Sequence, residues 1–177
     1  VSYHHLTTSY VRGKWANSEI CKTSMLLAKS CHDVDLMMWL MGGDKPVSVS
    51  SNGSKFQFIP ENAPEGSAKR CMPGCIHADT CPFSAKRIYL NHPNRWSDYV
   101  WAEIEKIENP TVEDKKASLE GDNRYGRCIY KCDNNVVDHQ SLLVTFASGA
   151  TGTHNMTGGS ARSARYIHVI GTRGEIE

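Results

Sequence analysis

The chain has 177 residues, 40% hydrophobic and 22% charged, the balance of an ordinary globule with room for one sizeable core. Its formal net charge is +1, so no global field marks it for nucleic acid or an anionic membrane. The longest apolar run, around Leu36 to Met41, is far too short to span a bilayer, and no secretory leader is visible.

In chain order, residues 1–12 are rich in Tyr, Thr and Val and read as a strand. Residues 13–24 read as a loop. The stretch 30–42 reads as a helix with the apolar period Val34, Met37, Met38, Met41, stopped by Gly42-Gly43 and then Pro46. Residues 46–58 predict a hairpin turning at Asn52-Gly53. A Cys-rich insertion at about 59–95 has no period and is expected on the surface. "SDYVWAEIEKI" predicts a helix, and "TVEDKKASLE" another, with Thr111 and Asp114 as a capping pair. The tail, "NVVDHQSLLVTFASG", "ATGTHNMTG" and "RYIHVIGTRGEIE", returns to three strands. This order is α+β, and no G-x-G-x-x-G follows a strand, so no cofactor-binding residues are expected in this chain. The first residue is Val1 and the last run stops in what reads as mid-strand, which predicts a piece of a longer polypeptide.

The helix mouth at "KSCHDVD" carries the chemistry. Ser30 reads as its N-cap and Asp33 as the capping-box partner, which would commit Asp33 to backbone N–H groups. His32 then falls in the first turn, on the side shared by Asp35, Leu36 and Trp39 and opposite the apolar stripe. There the positive end of the helix dipole disfavours an imidazolium, so His32 beside Lys29 suits removal of a proton from a substrate hydroxyl. A histidine bonded to a neighbouring loop and a solvent-facing lysine remain open as plain alternatives. Arg12 and Trp15 precede this block in a loop that could overhang the same pocket, Arg12 suiting an anionic group or else a surface ion pair. Asp138 and His139 alternate along a strand and so lie on opposite faces; His139 is a candidate second hydroxyl-binding group, or merely packed, and His154 has the same standing.

Seven cysteines is an odd count in a chain of this length, which argues for a reducing cytoplasm rather than a disulfide scaffold. Cys71, Cys75 and Cys81 are spaced C-x3-C-x5-C, with His77, Cys128 or Cys132 available as a fourth ligand. We take Cys71, Cys75, Cys81 and Cys128 as the candidate zinc set, against reduced thiols that stiffen the insertion.

The string "KSCHDVDLMMWLMGGDKPVSVSSNG" resembles the second domain of the Gfo/Idh/MocA oxidoreductases, the group that includes glucose–fructose oxidoreductase and inositol dehydrogenase. The family pattern H-x-x-D-x-x-x-W-L-x-G is met by His32, Asp35, Trp39, Leu40 and Gly42, and two further blocks near the end resemble the family's late strands. The resemblance implies that residues 1–177 are a substrate-binding and oligomerisation domain with an open, mostly antiparallel sheet and helices on one face, as in dihydrodipicolinate-reductase-like two-domain enzymes. It also implies NAD or NADP bound by an N-terminal Rossmann domain absent from this chain, and hydride transfer at the CH–OH group of a sugar, cyclitol or related polyol. His32 would be the acid/base, helped in the family by a lysine of the Rossmann domain that this chain lacks. Lys29, which resembles the lysine of a branch reading E-K-x-x-H, would supply a positive charge that orients a substrate oxygen, and Arg12, Trp15, Asp35 and His139 are the substrate-binding candidates. By the same resemblance the chain alone would be inactive and would form a homo-oligomer through the sheet face. Many members carry Asp four residues before the histidine, where this chain has Ala28, so an Asp–His pair does not carry over. Two other readings stand beside this one: a zinc-stabilised interaction or dimerisation module, and a structural platform that has lost its catalytic residue.

Overall fold

The computed structural model describes residues 1–92 and 97–177, so residues 93–95 of the expected insertion lie outside the described residues. The chain opens with a helix, not the expected strand. Tyr3–His5 forms α1, capped by Ser2, and runs on as a π-helical segment over Leu6–Arg12. Every residue from Leu6 to Arg12 is buried. A segment wrapped on all sides must satisfy its own N–H and C=O groups, which a helix does internally, and this overrides the β preference of Thr, Tyr and Val. A short helix, α2 (Ser18–Cys21), interrupts the expected loop because Asn17 accepts from the N–H groups of Glu19 and Ile20.

Helix α3 spans Met25–Leu40 and starts five residues before the expected point. Ser24, not Ser30, is its N-cap, accepting from Leu27 N at 3.2 Å, while Ser30 is buried mid-helix. Met25, Leu26, Leu27, Ala28 and Lys29 are all good helix formers, so the cap at Ser24 nucleates without opposition. Gly42 and Gly43, with φ of 61° and 92°, stop it in a conformation that other residues resist. Beyond them β1 (Pro46–Ser54) runs straight through Asn52-Gly53. The predicted hairpin does not form, because Gly53 answers a different need: a Cβ there would lie 2.8 Å from the His139 carbonyl oxygen across the ladder.

The insertion is not the surface excursion its composition suggested. After a 3₁₀ turn at Pro60–Asn62 it buries Cys71, Met72, Ala85, Ile88 and Tyr89 in a cluster completed by Val100, Trp101, Ile104, Leu119 and Tyr125. The completing residues belong to or follow α4 (Ser97–Trp101), its 3₁₀ extension Ala102–Ile104, and α5 (Val112–Glu120). The expected capping box on α5 is present, Thr111 and Asp114 bonding each other's backbone N–H.

β2 (His139–Phe146) and β3 (Thr151–Thr157) complete an antiparallel sheet of order β1-β2-β3. The last expected strand is instead a small hairpin, β4 (Val169–Gly171) with β5 (Gly174–Ile176). Alternation on β2 sends Leu142, Val144 and Phe146 inward against Val34, Met37, Met38 and Met41 of α3 and its C-terminal edge. Full burial of side chains of this size is worth about 1.5–3 kcal/mol each. The α+β expectation therefore holds, with α3 lying on one face of an open antiparallel sheet. No helix among the described residues is long and apolar enough to cross a membrane.

Candidate functional site

α3 is gripped at two places. Its first turn enters the cluster of Leu6, Tyr10, Val11, Phe58 and Ile129 through Met25 and Ala28, and its second half rests on the sheet. What stays outward is the side carrying His32, Asp35, Leu36 and Trp39, all exposed, with Trp39 at 74%. The sequence placed that side correctly. It misplaced the helix start, so His32 lies in mid-helix, beyond the first turn where the dipole acts, and the dipole argument for its neutrality falls away.

Lys29 stands one turn before His32, on neighbouring sides of the helix. Its Nζ lies 3.3 Å from His5 Nδ1. Partial burial, and then the Arg165 charge, lower the Lys29 pKa, with Asp33 acting in the opposite sense. Burial, and then the Lys29 charge, drop His5 from 6.5 to about 4. Asp33, expected on the helix cap, instead accepts from Arg165 Nε at 2.7 Å through Oδ1, and its Oδ2 is 3.6 Å from His154 Nε2. His5, Arg165 and His154 were not singled out for this cluster by the sequence. Their partners are 24, 132 and 121 residues away, and only the adjacent pair His4-His5 beside a buried run was available as a signal.

The other expected binding residues are elsewhere. Arg12 is 0% exposed and donates to the Arg127 and Phe83 carbonyls, both at 2.8 Å, with Cys71 Sγ at 3.7 Å. It ties three segments together and lines only a small cavity shared with Cys71, Cys81 and Cys128, away from Lys29 and His32, because the run that carries it is helical and inward. Trp15 stacks on Tyr10, which stacks on His5, both at 5.6 Å between ring centres. His139 opens β2 and bonds Asp138 Oδ1 at 2.9 Å through Nδ1, so the two are partners, not on opposite faces; Asp138 precedes the strand and escapes its alternation. His139 also packs edge-on against Phe56, which lines a cavity of about 250 Å³ with Leu6, Phe58, Phe83 and Asp138. Lys29 and His32 do not line this cavity.

Cys71, Cys75, Cys81 and Cys128 do share a second, small cavity, of about 20 Å³, yet among the described residues no three His, Cys, Asp or Glu side chains are grouped to hold a metal ion. The thiols have other duties: Cys71 meets Arg12 and the Arg127 carbonyl, Cys132 donates to the Cys128 carbonyl at 3.2 Å, and His77 Nε2 bonds the Glu65 carbonyl at 2.7 Å. The spacing brought the cysteines near one another without making a zinc ligand set, and burial raises the thiol pKa of Cys81 and Cys128.

No curated protein and no solved structure matches the chain. A family model described as "Oxidoreductase family, C-terminal alpha/beta domain" matches residues 1–177. With an α3 that carries His32 on its outward side against an open antiparallel sheet, the chain belongs to the Gfo/Idh/MocA oxidoreductase family as its C-terminal domain.

Proposed function

We propose that residues 1–177 are the substrate-binding and oligomerisation domain of an NAD- or NADP-dependent oxidoreductase acting on the CH–OH group of a sugar, cyclitol or related polyol. The observation that carries this reading is the pairing of Lys29 and His32 one turn apart, next to a fixed network of His5, Asp33 and Arg165. A dinucleotide-binding domain of the same polypeptide holds the nicotinamide, which supplies the hydride acceptor or donor. This chain has no phosphate-cradling G-x-G-x-x-G of its own.

In the oxidising direction, the carbinol hydrogen leaves as hydride and the hydroxyl proton passes to His32, leaving a carbonyl. The Lys29 ammonium donates to the same oxygen and stabilises the charge it develops on the way. Lysine suits this because it presents a compact point charge with three donors. Asp35, exposed like His32, accepts from a second hydroxyl of the polyol in this reading.

The test uses the full-length polypeptide, screened on sugars, cyclitols and sugar acids for nicotinamide reduction. His32→Ala lowers kcat by about 10²–10⁴-fold. Wild-type turnover in that variant removes His32 from the mechanism.

The same reading gives the chain a second copy as partner. The sheet face away from α3 presents Ser48, Ser50, Ser141, Leu143, Thr151 and Thr153, all exposed among the described residues. Sedimentation of the full-length protein and of Leu143→Asp distinguishes a sheet-face oligomer from a monomer. All seven cysteines are free, which supports a reducing compartment, the cytoplasm.

A further inference from the structure

Lys29 does not choose its place alone. An ammonium has three donors and no acceptor, so at 3.3 Å the lysine Nζ donates and His5 Nδ1 accepts. His5 Nδ1 therefore carries no proton, and the lowered pKa of the ring agrees with that. The ring is held on its flank by Tyr10 at 5.6 Å and an interplanar angle of 29°, and Tyr10 is held by Trp15 at 5.6 Å and 23°. Lys14 Nζ closes the stack 4.4 Å above Trp15. Tyr10 belongs to the π-helical run Leu6–Arg12, a rare local geometry that recurs at functional sites. The charged groups around Lys29 and His5 are Arg165 and the Val1 ammonium from other parts of the chain, and Asp33 one turn on in α3 itself.

We infer that His5 is a positioning residue: through Nδ1 it fixes the Lys29 ammonium on the side of α3 next to His32, where that ammonium meets the oxygen of the substrate hydroxyl. The inference rests on the oxidoreductase reading above and adds to it the reason a π-helical segment abuts the helix carrying His32. His5 touches no substrate. It removes the rotamer freedom of a long side chain, which otherwise spreads its charge over several positions.

Two substitutions separate positioning from packing. His5→Phe keeps a ring on Tyr10 and loses the acceptor, whereas His5→Asn supplies an amide oxygen close to the Nδ1 position. In full-length protein, Lys29 is labelled with acetic anhydride at several pH values and quantified by peptide mass spectrometry, alongside the pH profile of kcat/KM. Losing its acceptor destabilises the ammonium, so His5→Phe raises Lys29 labelling at neutral pH several-fold and lowers kcat about tenfold with little change in KM. His5→Asn returns both most of the way. Equal Lys29 labelling in wild type, His5→Phe and His5→Asn overturns the inference. The labelling needs no turnover. Absence of polyol oxidation by the wild-type enzyme therefore rejects the substrate reading, while the labelling by itself decides whether His5 holds Lys29.

Discussion

Asp33 and Arg165 stand 132 residues apart in the chain and meet at 2.7 Å, the carboxylate Oδ1 accepting from the guanidinium Nε. Both charges reach Lys29, in opposite senses: Arg165 lowers its pKa and Asp33 raises it. Burial is the larger influence on Lys29, and the pair tunes how readily its ammonium loses its proton on top of it. Asp33→Asn should lower the Lys29 titration midpoint and Arg165→Met should raise it, read from the pH dependence of Lys29 acylation. Arg165 is mostly exposed, so Arg165→Met should alter stability by less than about 1 kcal/mol. Movement of both midpoints in the same direction would take the pair out of the control of Lys29.

Arg12 was a substrate-binding candidate and is a structural strut. Its guanidinium reaches the carbonyls of Arg127 and Phe83, from segments 115 and 71 residues away. Arg12→Met strips both carbonyls of a donor in a site closed to water, a loss of about 2–5 kcal/mol. Arg12→Lys should recover little, because an ammonium lacks the fork that serves both acceptors. Urea denaturation measures these losses, and KM for polyol should stay at its wild-type value in whatever enzyme remains folded. A raised KM at unchanged stability would return Arg12 to the substrate site.

What local pattern could specify, the sequence made legible. The stripe Val34, Met37, Met38, Met41 found the sheet, Gly42-Gly43 ended α3, and Thr111 with Asp114 capped α5 as their spacing required. Three errors share one cause, a local preference overruled from a distance. Thr7, Thr8 and Val11 favour a strand, but burial all round made their segment a helix. Asn52-Gly53 is a strong turn signal, yet the glycine is there because the β2 backbone passes close. Asp33 sits three residues after a serine, as a capping partner would, but its ligands come from β3 and from Arg165. The same limit explains the site: Lys29 and His32 are visible as neighbours in sequence, while His5 becomes visible only when the first helix is laid against α3.

Acid should weaken the fold through His5. Its pKa is 6.5 when unperturbed and about 4 in the folded chain, so between these values the unfolded chain binds a proton that the folded chain refuses. Stability therefore rises with pH across that window. The contribution is complete above pH 6.5, shrinks as pH falls toward 4, and has gone below it. Carboxylates titrate at the lower end of the same range, so the comparison that isolates His5 is the difference between wild type and His5→Phe. Urea midpoints measured from pH 7 to pH 4.5 should fall less steeply in His5→Phe. Parallel curves for the two proteins would show that His5 takes up no proton there.

Asp138 and His139 present the last test, because they are bonded and yet serve different ends. The Asp138 carboxylate, 4% exposed, accepts from the N–H groups of Phe56 at 3.1 Å and Gln57 at 3.0 Å, and from His139 Nδ1 at 2.9 Å. The two backbone donors lie just beyond β1, where the chain leaves the sheet and no ladder partner remains for them. Asp138→Ala orphans both, and a buried unpaired donor costs about 1–3 kcal/mol. His139→Ala removes a half-exposed ring whose other partner, Ser54, can turn to water, so its cost should be under about 1 kcal/mol. Asp138→Asn keeps one acceptor oxygen and should fall between them. Chemical denaturation of the three variants ranks them directly. If His139→Ala proved as damaging as Asp138→Ala, the carboxylate would be there to orient the histidine, and His139 would again be a candidate for contact with substrate.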